Sequence, residues 1–308
     1  MYKRILVPLD GSAFAEHALP AAIAIARLTN AALHLVRVHE PLSATHASRG
    51  RSDEAERRRE LEYLHAVAAR AIAAGTSAVV TTLVEGWPSS AIEREITRTG
   101  ADLVVITDRG QTGLATRCLG TVPDNLVRQA HVPVLIMRAS ERAVDFEHGA
   151  LFRNILIAIE DADADVGVAE AAAMLGSVAG ARYTLFEAVR PAIAPVRAYA
   201  YAAAATKLDA GTTRARVSST RDELAAIASR MRDRTRPNGI DIEIGIDTHP
   251  ASSLLDAMAD GRVDLVAMSN RACVPSRMTT RSAVEQVACS SALPMLICPA
   301  STPDDRPV

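Results

Sequence analysis

Short, almost wholly apolar runs alternate along this chain with longer stretches of helical periodicity. In the first half the runs are Arg4 to Leu9, Ala32 to Val38, Ala78 to Val84, Asp102 to Ile106 and Pro133 to Met137. Apolar positions on both faces are the pattern of strands covered on both sides. Between the runs lie an alanine-rich helix over Ala13 to Leu28, a charged helix over Asp53 to Ala74, a shorter one over Ala91 to Arg98 and a helix opening near Thr121. Strand alternating with helix predicts an α/β fold: a mostly parallel open sheet, helices on both faces, right-handed crossovers. Ligands of such sheets gather at the carboxyl ends of the strands. Asp10, Val38 and Gly110 fall at or just after such ends and are placed to converge on one crevice.

After a mixed, charged linker over Arg138 to Ala150, the pattern starts again. Arg153 to Glu160 answers Lys3 to Asp10, Ala181 to Val189 answers the second strand, and Thr248-His-Pro answers Gly86-Trp-Pro. Val263-Asp-Leu-Val-Ala-Met268 answers Ala101-Asp-Leu-Val-Val-Ile106, and Leu293-Pro-Met-Leu-Ile-Cys298 answers Val132-Pro-Val-Leu-Ile-Met137. Matches in one order mean a tandem duplication of a unit about 150 residues long. The expected domains are 1–140 and 151–300.

The stretch Thr107-Asp-Arg-Gly-Gln-Thr-Gly to Gly120-Thr-Val-Pro-Asp124 carries the candidate chemistry. Gly110, Gly113 and Gly120 let backbone N–H groups approach an anion with no Cβ in the way. With Thr121 as N-cap and Pro123 in the first turn, the free N–H groups of the helix point back at the loop, an arrangement that favours phosphate. The alternative reading is a strand-to-helix turn that contains glycine for steric reasons alone. Asp10 likewise could cap the next helix through its side chain. Counting back from Pro294 places Arg281 where Gly120 stands and Ser282 where Thr121 stands, while Glu160 replaces Asp10. The second copy of the site is therefore expected to be degenerate.

Charge and composition narrow the classes. With 34 basic and 36 acidic residues the net charge is −2, and aromatics are 3%, so neither a basic nucleic-acid face nor a stacking platform is expected. The chain opens directly on a strand-like run and holds no apolar segment of membrane-spanning length, which points to a cytoplasmic protein. Cys118, Cys273, Cys289 and Cys298 have no C-x-x-C spacing and read as reduced, core-filling thiols. The histidines lack metal-binding spacing, and His34 and His39 read as structural. The run Arg57-Arg-Arg59 among glutamates reads as a solvated helix face with i,i+4 pairs. There is no Walker lysine, nucleophile elbow or catalytic triad order.

In their order, Ile5-Leu-Val-Pro-Leu-Asp-Gly-Ser12, the Gly86-x-Pro turn, Asp102-Leu-Val-Val-Ile106, the G-x-x-G…G-T cradle and Val132-Pro-Val-Leu-Ile resemble the universal stress protein family in its tandem two-domain form. The resemblance implies two Rossmann-like, five-stranded sheets of the adenine nucleotide alpha hydrolase type, pairing through their last strands. It also implies ATP, or AMP or ADP, with Mg²⁺ arriving through the nucleotide. By it, Asp10 contacts ribose or adenine and the Val38 backbone meets the adenine edge. Gly110, Gly113, Gly120 and Thr121 hold the phosphates, and Val122 adds its backbone N–H. Gly113 and Gly120 enclose six residues, Leu114 to Leu119, fewer than the nine most often quoted for ATP-binding members. Asp108 is a carboxylate near the anion, to be offset by a metal ion or by Arg109.

The function implied is a cytoplasmic, ATP-binding stress-response or signalling protein with an unidentified protein partner. The second domain would complete an intrachain pseudo-dimer, with a further homodimer open. The alternatives are a nucleotide-free interaction scaffold and a weak ATPase, slow ATP hydrolysis being the most catalysis expected.

Overall fold

The computed structural model describes residues 1–40, 53–109, 118–139, 144, 152–192, 209–235, 237–259, 262–273 and 282–300. In the first half, β1 (Arg4–Pro8), β2 (Ala32–His39), β3 (Val79–Glu85), β4 (Leu103–Thr107) and β5 (Val134–Met137) lie parallel in the order β3-β2-β1-β4-β5. In the second half, β6 (Asn154–Ala158), β7 (Arg182–Val189), β8 (Ile240–Ile246), β9 (Leu265–Ser269) and β10 (Met295–Cys298) repeat it as β8-β7-β6-β9-β10. The two arrays merge into one ten-stranded sheet, because β5 and β10 pair antiparallel with Leu135 opposite Leu296.

Eight helices complete the described part: α1 (Leu19–Thr29), α2 (Asp53–Ala73), α3 (Pro88–Thr99), α4 (Thr121–Gln129), α5 (Val166–Ser177), α6 (Ala210–Thr235), α7 (Pro250–Ala259) and α8 (Ala283–Ser290). Alternate strand residues send side chains to opposite faces. Ile5, Val7, Leu103, Val105, Leu135 and Leu296 enter a core beneath α1, α2, α5 and α6. Leu6, Val104, Ile106, Val134, Ile136 and Ile297 enter the other, beneath α3, α4, α7 and α8. Both cores hold residues of both halves, so the apolar layers run unbroken across the β5–β10 seam.

Several local expectations are corrected. The first helix begins later than Ala13: a 3₁₀ turn spans Ala15–Ala18, and α1 opens with Pro20 in its first turn, where a missing N–H costs nothing. Asn30 ends it in the left-handed conformation, at φ 55°. The acidic residues of α2 are not all solvated. Glu60 is buried and holds two groups of β2: its carboxylate lies 2.7 Å from His39 Nδ1 and 3.1 Å from Arg37 Nε.

The cysteines are not all reduced. Cys118 and Cys289 are joined by a disulfide, while Cys298 is a free, buried thiol. Sequence spacing carried no hint of this pairing, because 171 residues separate partners that meet only when the seam sets α4 beside α8. The alanine-rich stretch 198–205 and most of the linker, 140–143 and 145–150, lie outside the described residues.

Because Leu135 and Leu296 are fully buried and opposite one another, Leu135→Ala is expected to lower stability by about 2–5 kcal/mol. In urea this should appear as a lower midpoint of one shared transition, with both halves reporting together. Independent unfolding of the halves would contradict a continuous core.

Candidate functional site

In the first half, β1 and β2 end at one rim of the sheet. Asp10 follows β1 and makes a tight Asx-type turn: its Oδ1 accepts from the Ser12 N–H at 2.9 Å and from the Ser12 hydroxyl at 2.6 Å. Ser12 Oγ in turn accepts from the Ala15 N–H at 3.1 Å, carrying the chain into the 3₁₀ turn. Gly11, at φ +81°, is required by its backbone, and a side chain there would also have to displace the flexible end of Arg37. Its conformation is left-handed, and a Cβ there would lie 2.0 Å from a guanidinium nitrogen of Arg37. Arg37 leans over the turn from β2, held by Glu60 and with its guanidinium carbon 5.6 Å from the Tyr63 ring centroid. Val38 is the next residue of β2 and is half-buried at the strand's carboxyl end. His39 is enclosed between Glu60 and Asp53 Oδ1, 2.9 Å from its Nε2, which gives it a structural place.

The structure brings Gly120, Thr121 and Val122 together at the start of α4. Gly110 and Gly113 lie outside the described residues. Gly120, not Thr121, is the N-cap, and among the described residues no side chain caps the helix. The cap position is set by where the chain leaves extended geometry, φ −69° and ψ 168° at Gly120, rather than by which residue has a hydroxyl. Thr121 is therefore the first helical residue. The first N–H groups of a helix have no acceptor within it, so those of Thr121 and Val122 face outward beside the positive end of the helix dipole. Gly120 itself is anchored by its N–H to Asp108 O at 2.8 Å, and a Cβ there would stand 3.4 Å from that same oxygen, an ordinary contact. Nothing within the described protein demands glycine at this position.

Asp108 is buried, and its charge is offset by a residue the sequence reading passed over. Its carboxylate accepts from the Ala139 N–H at 3.0 Å and lies 3.4 Å from Arg138 Nη1, beside the seam. Arg109 does not neutralise it. That side chain donates to Ala139 O at 3.0 Å and stacks over Phe14 at 4.9 Å.

The second half differs at each of these points. Helix α8 has Ser282 as N-cap in a full capping box: Ser282 Oγ accepts from the Glu285 N–H, and a Glu285 carboxylate oxygen accepts from the Ser282 N–H. Two N–H groups at this helix end are thus satisfied by its own side chains; a first-turn carboxylate is common to both helices, Glu285 here and Asp124 in α4. Arg281 lies outside the described residues. At the carboxyl ends of β6, β7 and β9 a cavity of about 360 Å³ is walled by Phe186, Leu254 and Met268, with Glu160, Glu187 and Arg271 among its polar groups. Register places Glu187 where Arg37 stands in the first half, and Ala188 where Val38 stands.

Burial, with Asp165 beside it, pushes the Glu160 carboxyl above its ordinary range against the pull of Arg271 and Arg190. Burial and the neighbouring Glu223 push Glu187 the same way. Arg271 itself is 3.3 Å from Asp161 Oδ2. The cavity wall therefore carries both signs, with Arg190, Arg271 and His249 beside the two carboxyls. Among the described residues, no group of three or more His, Cys, Asp or Glu side chains is placed to hold a metal ion. No described helix is long and apolar enough to cross a membrane.

Comparison with known proteins places the chain. The profile of the universal stress protein family matches residues 1–138. A staphylococcal protein named as a universal stress protein, from Staphylococcus epidermidis, is 32% identical over 151 residues, covering 47% of this chain and 90% of that protein. The chain belongs to the universal stress protein family. Its whole-length fold is shared with a universal stress protein from Archaeoglobus fulgidus, at TM-score 0.66 and 18% identity, covering 96% of this chain and 98% of the other. A chain from Pseudomonas aeruginosa described in the same terms matches at TM-score 0.58 and 17% identity, covering 97% and 94%.

The raised carboxyls have a measurable consequence. Glu160 and Glu187 hold protons more tightly folded than unfolded, so their contribution to stability is full at low pH and is lost as pH rises from the ordinary value of 4.5 through the raised folded values. The Glu160→Gln variant should accordingly gain stability relative to the parent as pH rises from about 4 to about 7. Urea midpoints across that range check it, and a constant difference would contradict the assignment.

Proposed function

We propose that this chain is an adenine-nucleotide-binding member of its family, with ATP, or ADP or AMP, held by the first domain, residues 1–140. The observation that carries the reading is the contrast between two helix ends at equivalent places. Among the described residues, no side chain caps the α4 N-terminus and nothing demands its glycine, whereas α8 is closed by Ser282 and Glu285. An uncapped helix N-terminus at the rim of a parallel sheet suits a phosphate. In this reading Thr121 and Val122 give N–H groups to phosphate, while Gly120 leaves the approach open, with Gly110 and Gly113 completing the cradle. Asp10 and the Val38 backbone take the ribose and adenine from the adjacent rim, and Mg²⁺ arrives with the phosphates. The Asp10 carboxylate keeps its turn with Ser12 at the same time, since one carboxylate can accept several hydrogen bonds.

The second domain, residues 151–300, is proposed as a degenerate copy. Its α8 is capped by its own side chains, which disfavours a phosphate there. Its part is to complete an intrachain pseudo-dimer through β5 and β10, and the occupancy of the first domain is read by a protein partner in stress response or signalling. Turnover, if measured, is expected to be no more than slow ATP hydrolysis.

The first experiment is to denature the purified chain and quantify released nucleotide, before and after incubation with Mg-ATP. One adenine nucleotide per chain is the expected result. Two per chain would contradict the degenerate second domain, and none, with a blank titration, would favour a nucleotide-free scaffold.

A Gly120→Trp variant tests the site directly. Affinity for Mg-ATP should fall at least about tenfold, roughly 1.4 kcal/mol, while circular dichroism and the thermal midpoint change little, since φ −69° admits any residue. Retained affinity would remove α4 from the site.

A further inference from the structure

Side-chain links join the halves beyond the strand pairing at the seam. Arg128 bridges α4 to Glu285 of α8 at 2.8 Å, Arg138 donates to Leu293 O at 2.9 Å, and Cys118 is bonded to Cys289. The first is half-exposed on both sides and contributes little. The disulfide is different in kind. It fixes a residue two positions before Gly120, at the start of α4, to the last turn of a helix 171 residues away.

The sheet does not need this bond. Three residue pairs of β5 and β10, and two apolar layers that cross the seam, hold the halves together without it. What the bond does control is local. Before α4, among the described residues, the chain is held by the Gly120 N–H to Asp108 O and by the disulfide; the N-cap glycine has no side chain to cap the helix, and Pro123 has no N–H to donate. Both bonded cysteines are only partly buried, unlike a bond enclosed in the core, and exchange with a small thiol requires such access. Cys298, by contrast, is enclosed in the core with its thiol pushed up by burial, and so stands apart from exchange.

We propose that Cys118 and Cys289 form a reversible dithiol–disulfide clamp, worked by exchange with a small-molecule thiol–disulfide couple, that sets the order of the start of α4. In the reducing direction an external thiolate attacks one sulfur, the Cys118–Cys289 bond breaks and a mixed disulfide forms. A second external thiolate then releases it. Two electrons and two protons pass to the protein, which leaves with two thiols, and the external couple leaves as its disulfide. Where the clamp acts on ligand, the inference rests on the proposed phosphate seat at Gly120 to Val122: the oxidised form presents those N–H groups in a fixed position, and the reduced form must order them on binding.

The test uses the full chain equilibrated, while folded, with oxidised or with reduced glutathione. After denaturation and alkylation, the four cysteines of the chain should give two labels in the oxidised form and four in the reduced form, with Cys118 and Cys289 in one cross-linked peptide. Four labels after oxidation, a different pairing, or a bond that yields only once the protein is denatured would overturn the clamp. Hydrogen exchange over residues 119–126 should be at least about threefold faster in the reduced form. Cys118→Ser and Cys289→Ser should match the reduced form whichever couple is present. Equal exchange in both forms would overturn the control of α4.

Mg-ATP affinity should be weaker in the reduced form by about threefold, a difference that vanishes in Cys118→Ser. Equal affinity in both forms would overturn the link to the ligand. A chain that binds no nucleotide in either form refutes the phosphate seat instead, and labelling and exchange still decide the clamp.

Discussion

The antiparallel pairing of β5 with β10 is the constraint on which the rest of this molecule depends. Each is a four-residue strand that is buried throughout, and each would be an apolar edge if the halves stood alone. Such an edge exposes unpaired N–H and C=O groups and invites association. Pairing the two removes both edges at once and turns two five-stranded arrays into one sheet. The outer edges that remain, β3 and β8, are built differently: their residues are half-exposed or exposed, and Asp241 and Glu243 stand outward on β8. The same pairing sets α4 beside α8, and from that follow the Arg128–Glu285 contact and the disulfide.

Much of this was legible in the residues, for a physical reason. Strands such as Ile5-Leu-Val and Ile155-Leu-Ile are buried on both faces, so their apolar runs cannot be anything but central strands, and their recurrence in one order announces the repeat. Boundaries were less legible wherever a neighbour decided them. Pro20 moved the start of α1, and local backbone geometry rather than the Thr121 hydroxyl fixed the cap of α4. Long-range partners were not legible at all. The Asp10-Gly11-Ser12 stretch reads as a turn, but that the end of Arg37 lies over Gly11 from the next strand is visible only in the fold. Glu60 belonged by pattern to a solvated face, and only the packing of α2 on β2 buries it against His39 and Arg37.

The candidate site shows how two copies of one fold diverge without altering the sheet. Residues in the strands keep their size and apolarity, because both faces are covered and any change is felt in packing. Residues just beyond the strand ends are free of that demand. There Asp10 gives way to Glu160, and at the matching places near the ends of β2 and β7 Arg37 gives way to Glu187. The guanidinium in one half is held by an acidic helix residue over a glycine turn. The carboxylate in the other stands at a cavity wall, where burial first, and then Glu223, Asp165 and Asp161, keep its pKa high.

The helix ends make the same point more sharply. Every helix begins with N–H groups that need an acceptor from outside its own hydrogen-bond ladder. In α8 the chain supplies one from Ser282, while both helices carry an acid at the matching place in the first turn, Asp124 and Glu285. In α4 it supplies none from a side chain, and it places glycine where a side chain would fit. Stability alone would favour a side-chain cap over Gly120 by only roughly a few tenths of a kcal/mol, since glycine is itself tolerated as an N-cap. Leaving that stabilisation unused at one end of a duplicated pair, while using it at the other, is intelligible where the uncapped end receives its acceptor from a ligand. On that view the two halves differ by the source of one hydrogen-bond acceptor, internal in the second and external in the first.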